Sequence, residues 1–375
     1  MNYEKKVEVL KKLKNDAGTH SPSPKEIVSS LGYNPIIYDF CFLSNPYATD
    51  LVVDHFHSIL NNKEDIFSLL ESYPANSNYV ANNICKFENL MPEYMVIGNG
   101  AIQAIDWVCN GWNLNKLLIP IPTFSSYYEL LNKDYVFNDS FWLKADLDYK
   151  ELIRNADQNN CDSILLIYPN NPTGEAINIE NLKSLIKNLG NKKLIIDESF
   201  SHFLSNYNDF KIFRNEVKNN NVVFIKSMSK DFGIAGLRLG YLYTQDKNLI
   251  DYAKSKTTWN LNNFSVLFSE FLINKEFIEK YEQARIEYIS NRDYFYHELK
   301  KIEIIKVFPT QANFFLIQFN FKEYPNLVYD LLLKYGIYIR TMEDKVGLDS
   351  SYIRVASRKK EDNNLFIKSL LDYTR

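Results

Sequence analysis

The chain has 375 residues, 46% of them hydrophobic, enough for a large core and more than one domain. Its formal net charge of -3 offers no general basic surface for nucleic acid or an anionic membrane. Cys41, Cys85, Cys109 and Cys161 have neither metal-ligand spacing nor the density of a disulfide framework. Met1 to Lys14 is charged throughout, unlike a secretory leader, and no apolar run is long enough to span a bilayer. A cytoplasmic protein without a metal centre is the expectation.

In chain order, Asn2 to Lys14 reads as an amphipathic helix, Pro24 opens a second one closed by Gly32, and Ile36 to Leu43 reads as extended. Tyr73-Pro74 precedes a helix over Ser77 to Leu90. Gly98-Asn99-Gly100-Ala101 opens the helix Ile102 to Cys109; free N–H groups and the positive dipole end make such a turn an anion site. Leu117 to Ile121, Ser163 to Tyr168, Lys193 to Ile196 and Val222 to Ile225 are apolar runs suited to strands buried on both faces. Each is followed by a polar or turn segment: Pro122-Thr123-Phe124-Ser125-Ser126-Tyr127, Asn170-Asn171-Pro172-Thr173-Gly174, Asp197-Glu198-Ser199-Phe200, and Ser227-Met228-Ser229-Lys230. Ligands of open α/β sheets gather at such strand ends. Leu261 to Leu299 is largely helical with a break near Asn274-Lys275. Beyond it come strands at Asn313 to Phe319, Tyr338 to Arg340 and Tyr352 to Ala356, and helices over Leu327 to Lys334 and Glu361 to Leu371.

The segment Ser227-Met228-Ser229-Lys230-Asp231-Phe232-Gly233-Ile234-Ala235-Gly236-Leu237-Arg238-Leu239-Gly240-Tyr241 resembles the Schiff-base signature of pyridoxal-phosphate enzymes of the aspartate-aminotransferase fold. Asn171-Pro172-Thr173-Gly174 is that family's second signature. The resemblance implies an α/β protein: a large domain with a mostly parallel seven-stranded sheet flanked by helices, and a smaller α+β domain built from both termini. The expected division is 1–45 and 286–375 in the small domain and 46–285 in the large one.

It also implies site roles. Lys230 would carry pyridoxal 5'-phosphate, and Asp197 would pair with the ring nitrogen and keep the ring an electron sink. Asn171 would donate to the ring's phenolate oxygen, and Phe124, with Tyr127 in reserve, would stack on the ring. Ser227, Ser229, Arg238, Gly100 and Ala101 would hold the cofactor phosphate, joined by Tyr73 of a neighbouring subunit, which implies a homodimer with shared active sites.

Around the substrate, the layout resembles the threonine-phosphate decarboxylases and histidinol-phosphate aminotransferases. That likeness assigns Arg340, with His20 and Asn45, to a substrate phosphate, Arg354 to an α-carboxylate, and an added charge to Arg358. Phe200 stands where many transaminases of this fold keep a tyrosine, which favours the decarboxylases. His202 reads equally as a pocket or a packed residue. The expectation is decarboxylation of O-phosphoserine or O-phosphothreonine. The alternative is amino transfer to a small phosphorylated ketone or aldehyde, or on histidinol phosphate. Some relatives of both types supply ethanolamine phosphate or serinol phosphate for bacterial surface polysaccharides.

Overall fold

The computed structural model describes every residue except 19, 33, 34, 140, 144–147 and 375. The chain divides into two compact units. The larger spans Ser44–Asn171 and Glu175–Ile289, and the smaller comprises Met1–Leu43, Pro172–Gly174 and Ser290–Arg375.

The larger unit is organised on seven strands: β1 Met95–Asn99, β2 Lys116–Pro120, β3 Asp134–Asn138, β4 Ser163–Ile167, β5 Lys193–Asp197, β6 Val222–Ser227 and β7 Leu239–Thr244. Their order across the sheet is β1-β7-β6-β5-β4-β2-β3. Only β7 runs against its neighbours, pairing antiparallel with β1 and β6. The other six strands therefore end on one edge. The apolar runs form central strands because both faces are covered. Leu118, Ile164, Leu166, Leu194, Ile196 and Phe224 enter one core cluster, while Leu117, Ile119, Leu165, Ile167, Ile195, Val223 and Ile225 enter the other. Each fully buried Leu or Ile contributes about 1.5–3 kcal/mol, and the period-two split of neighbours between clusters fixes the register. Short crossover helices such as Ala101–Gly111, Ile179–Lys187 and Tyr207–Glu216 link these strands.

The smaller unit has a four-stranded antiparallel sheet ordered Arg340–Thr341, Tyr352–Ala356, Phe314–Phe319, Ile305–Val307. Its core holds Phe40, Phe295, Phe315, Leu331, Val355 and Phe366. Tyr38–Asp39, from the N-terminal part of the chain, pairs in parallel with Ile337–Tyr338. The segment read as one strand over Tyr338 to Arg340 is divided: Tyr338 pairs with Asp39, and Arg340 joins the other sheet opposite Arg354. The break near Asn274 is present, between the helices Asn263–Phe271 and Lys275–Leu299. Two helices that the periodicity did not reveal, Pro46–Ile59 and Lys63–Glu71, precede Tyr73. Among the described residues, no helix is long and apolar enough to cross a membrane.

Candidate active site

The C-terminal ends of β4, β5 and β6 are in register, with Ile167 opposite Asp197 and Asp197 opposite Ile225. Asp197 is buried. Its Oδ1 accepts from the Ser199 N–H at 2.9 Å and its Oδ2 from the Tyr127 hydroxyl at 3.0 Å. Burial raises the Asp197 carboxyl above its ordinary value, and those two bonds work in the opposite direction. Tyr127 is itself wholly buried, so it offers no ring face for stacking. Its hydroxyl orients Asp197. Phe124 is half-buried and packs on the core of the same sheet face.

Asn170 laces two of the loops together. Its Oδ1 accepts from the Thr123 hydroxyl at 3.1 Å, and its Nδ2 donates to the Pro122 carbonyl at 3.0 Å. This fixes the chain immediately before Phe124 and Asn171. Asn171 and Phe200 are both buried.

Lys230 lies in the single turn Met228–Asp231 directly after β6 and is half-buried. The Ser227 side chain accepts from the Ser229 N–H at 3.4 Å, and the Asn45 N–H donates to the Lys230 carbonyl at 3.0 Å. Asn45 is therefore a structural cap. It is fully buried, and its Oδ1 accepts from Tyr47 and Ala48 at the start of the helix Pro46–Ile59. Its Nδ2 is buried with no hydrogen-bond partner among the described residues.

Gly98, Gly240 and Ser227 form one row across β1, β7 and β6. A Cβ on Gly240 would stand 2.6 Å from the Ala101 nitrogen and 2.7 Å from the Gly100 carbonyl carbon. Glycine at 240 therefore lets the Gly100 turn approach the Ser227 strand end. Gly100 itself has φ 74°, and a Cβ there would stand 2.5 Å from Arg238 Nη2. No side chain caps the helix that Gly100 opens, so its first N–H groups and the guanidinium face a common space. Ser229 Oγ is buried with no hydrogen-bond partner among the described residues.

In the smaller unit, Arg340 and Arg354 are direct cross-strand partners. Like charges so opposed are destabilising. Arg340 Nη2 lies 2.6 Å from Asp344 Oδ2, and Nη1 donates to the His20 carbonyl at 2.9 Å. His20 thus contributes its backbone, and its ring is exposed. Lys14 and Lys345 lie 3.7 and 3.2 Å from the same Asp344 oxygen. Burial pushes the Arg354 guanidinium down to about 10, and Arg340 pushes the same way. Lys14 is lowered by burial and then by Arg340. Arg358 is half-buried, and its backbone N–H donates to Asn363 Oδ1 at 2.8 Å. Among the described residues no group of His, Cys, Asp and Glu could hold a metal.

Residues 44–370 match the family of class I and II aminotransferases. The chain belongs to that family. It is a pyridoxal-phosphate-dependent fold type I enzyme of the decarboxylase and aminotransferase group. It is 37% identical to an L-serine phosphate decarboxylase of Campylobacter jejuni, over 99% of this chain and 97% of that one. A histidinol-phosphate aminotransferase of Methanococcus maripaludis is 30% identical over 81% of this chain and 82% of its own. Among solved structures, a decarboxylase from Sulfurospirillum multivorans superposes with a TM-score of 0.87 at 31% identity, covering 98% of this chain and 96% of that one.

The residues present fit the cofactor. A phosphate needs donors, and the lone Ser229 hydroxyl, the uncapped helix start and Arg238 supply them around a turn kept open by Gly100 and Gly240. A ring nitrogen needs a fixed anion, and Asp197 is held by two donors.

The reading of the sequence missed one feature and left another open. The Tyr127 hydroxyl was passed over for its ring. His202 is a packed residue, fully buried, with Nε2 3.0 Å from Glu88 and Nδ1 2.6 Å from the Tyr281 hydroxyl. The available signal was Lys226, a cation directly after the apolar run Val222 to Ile225, which demands a buried partner.

Proposed function

We propose that this enzyme decarboxylates a small O-phosphorylated amino acid, O-phosphoserine first, to the phosphorylated amine. The observation that carries the reading is the cross-strand pairing of buried Arg340 with half-buried Arg354. Two adjacent guanidiniums suit a substrate with two anionic groups, and their planar forks suit a phosphate and a carboxylate bidentately. Arg340 takes the phosphate and Arg354 the α-carboxylate, with His20, Asn45 and Arg358 completing the substrate's surroundings. The similarity to serine phosphate decarboxylases along nearly the whole chain supports this choice, as does Phe200, which offers no phenol hydroxyl.

The bound cofactor supplies an electron sink for the bond that breaks. Lys230 holds it between turnovers, and its Nζ moves the proton that the product carbon takes up. Asp197 steadies the ring nitrogen, Asn171 donates to the ring oxygen and Phe124 covers the ring. Ser227, Ser229, Arg238, Gly100 and Ala101 bind its phosphate. The arginines orient the substrate so that the carboxylate bond, rather than the Cα–H bond, is the one the sink can serve.

Tyr73 is 80% exposed, with its ring 4.8 Å from that of Trp259. Ile66, Phe67 and Leu70 nearby in sequence are exposed too. This surface suits a homodimer in which Tyr73 reaches the partner's cofactor phosphate. A cytoplasmic site of action and a phosphorylated amine destined for a surface polysaccharide complete the reading.

Incubation with O-phosphoserine tests it. Carbon dioxide and phosphoethanolamine formed without any keto acid support decarboxylation. Amino transfer to pyruvate or 2-oxoglutarate with no carbon dioxide overturns it in favour of the aminotransferase reading, which the similarity to histidinol-phosphate aminotransferases sustains.

A further inference from the structure

Six ionisable groups that the proposed reaction does not use are wholly buried in the larger unit: Glu88, Glu198, His202, Arg214, Lys226 and Asp231. Glu198 follows Asp197 in the chain, and Lys226 and Asp231 bracket Lys230. Arg214 forks between two carboxylates. Its Nη1 donates to Glu198 Oε1 and Oε2 at 2.9 and 2.8 Å, and its Nη2 donates to Glu88 Oε2 at 2.7 Å. The hydroxyls of Tyr241 and Tyr207 donate to Glu198 and Glu88. Lys226 Nζ lies 2.6 Å from Asp231 Oδ2 and donates to Ser201 Oγ at 3.1 Å and to the Glu198 carbonyl at 3.4 Å.

The state of His202 follows from its neighbours. Burial, with Lys226 nearby, pushes its pKa down to about 3, so the ring is neutral. Burial opposes ionisation of Glu88, but Arg214 and His202 outweigh it and hold the carboxyl well below its usual range. An ionised carboxylate only accepts, so His202 Nε2 carries the ring proton toward Glu88, and Nδ1 accepts from the Tyr281 hydroxyl. Nδ1 therefore has no hydrogen for Asp231 Oδ2, 3.6 Å away, and the cation that meets Asp231 is Lys226. The array then holds two cations, Arg214 and Lys226, against three carboxylates, Glu88, Glu198 and Asp231. Burial raises the Asp231 carboxyl to about 7 despite Lys226.

The turn bearing Lys230 has four residues, too few for helical hydrogen bonds alone to hold it. Lys226 reaches from Asp231, at the end of that turn, to the carbonyl of Glu198, one residue past Asp197. We propose that Asp231 is a positioning residue: clamped on Lys226, it ties the turn carrying Lys230 to the strand end carrying Asp197, so that one buried ion array holds both. This rests on Lys230 being the cofactor-bearing lysine. Charged and titratable groups face Asp231 from every packed element: Lys226 on β6, His202 in the turn Ser201–Phe203, Tyr281 in Lys275–Leu299, Glu88 in Ser77–Glu88 and Glu198 beyond β5.

A pH titration of the holoenzyme's visible absorbance tests the proposal, with borohydride reduction and peptide mapping of the wild type alongside. Asp231→Asn keeps the shape and removes the charge. Its absorbance midpoint is expected to move by about half a pH unit or more, with kcat down about tenfold and KM changed less than about twofold. The double variant Lys226→Met/Asp231→Leu leaves neither charge stranded. It is expected to recover the wild-type unfolding midpoint without recovering the absorbance midpoint or kcat. An Asp231→Asn titration that superimposes on the wild type overturns the proposal. So does a double variant in which stability, spectrum and kcat all return together, and that variant alone decides if Asp231→Asn does not fold. Failure of borohydride to fix the cofactor on Lys230 in the wild type overturns instead the assignment on which the proposal rests.

Discussion

In the larger unit Arg214 is fully buried between Glu88 and Glu198, with its donors 2.7–2.9 Å from their oxygens. In the smaller unit Arg340 stands opposite another arginine, and Asp344 meets three cations at one oxygen. Both clusters bury charge, but the first matches each cation with carboxylates. The second sets Arg340 against Arg354, and burial together with Arg340 lowers the pKa of Lys14 and of Arg354. A matched array serves to hold a shape, because removing any member strands its partner. A cluster in which like charges oppose each other is stabilised by an arriving anion, which suits the proposed substrate subsite.

The largest break in this comparison is at the residue that neither cluster contains. Lys230→Ala is expected to lower turnover by about 10⁴-fold or more and to abolish borohydride attachment of the cofactor. The unfolding midpoint of the cofactor-free protein should stay near that of the wild type, because the Lys230 side chain is only half-buried. Residual turnover within about tenfold of the wild type would remove Lys230 from the chemistry.

Next in size is the matched cluster. Arg214→Met leaves Glu88 and Glu198 buried without their shared cation, at a cost of about 3–5 kcal/mol. Chemical denaturation should show the midpoint falling with the slope unchanged. A stability within about 0.5 kcal/mol of the wild type would mean the array is not the brace described here.

The same substitution in the cluster of opposed arginines should act the other way. Arg340→Met relieves the opposition to Arg354, so stability should change by less than about 1 kcal/mol. The specificity constant for O-phosphoserine should fall about a hundredfold, the loss of one charge-assisted bidentate contact. Serine lacks the phosphate, so its rate of turnover should be unaltered. An equal loss for both substrates would separate Arg340 from the phosphate.

What the sequence made legible follows the same divide. The strands β2, β4, β5 and β6 stand out because they are apolar runs closed by turn residues, and the motifs at their ends carry the residues proposed to meet the cofactor. Gly100 and Gly240 are legible as glycines, but the reason for Gly240 is a backbone approach of 2.6 Å that only the folded chain creates. The array was not legible. Its members come from 88, 198, 202, 214, 226 and 231; Lys226 signals that a buried partner exists, but nothing in the local sequence says which residues meet it. The division of Tyr338 to Arg340 between two sheets was hidden for a related reason. Alternation within five residues does not reveal which neighbour each half will pair with. The helices Pro46–Ile59 and Lys63–Glu71 escaped notice because they bury little: the second has no buried residue, so no apolar stripe marks it.

The smallest expected effect lies where the site meets the sheet. Tyr127 donates to Asp197 Oδ2 at 3.0 Å, and Ser199 N–H donates to Oδ1 at 2.9 Å. Burial raises the Asp197 carboxyl, and both donors restrain that rise. Tyr127→Phe removes one restraint while keeping the ring that fills the core, and Phe leaves no polar atom of its own unsatisfied. The Asp197 pKa must then rise further, because the bond that is lost favours the charged form. An ionised Asp197 is what a protonated ring nitrogen requires, so the acid limb of kcat/KM should move to higher pH, by about half a unit to one unit. At pH well above that limb the loss should be only a few fold, since Ser199 still fixes the carboxylate. The pH profile separates this from a packing defect: a cavity or a loosened core would lower activity at every pH alike. A profile with its acid limb unmoved would show that the Tyr127 hydroxyl fills space beside Asp197 without tuning it.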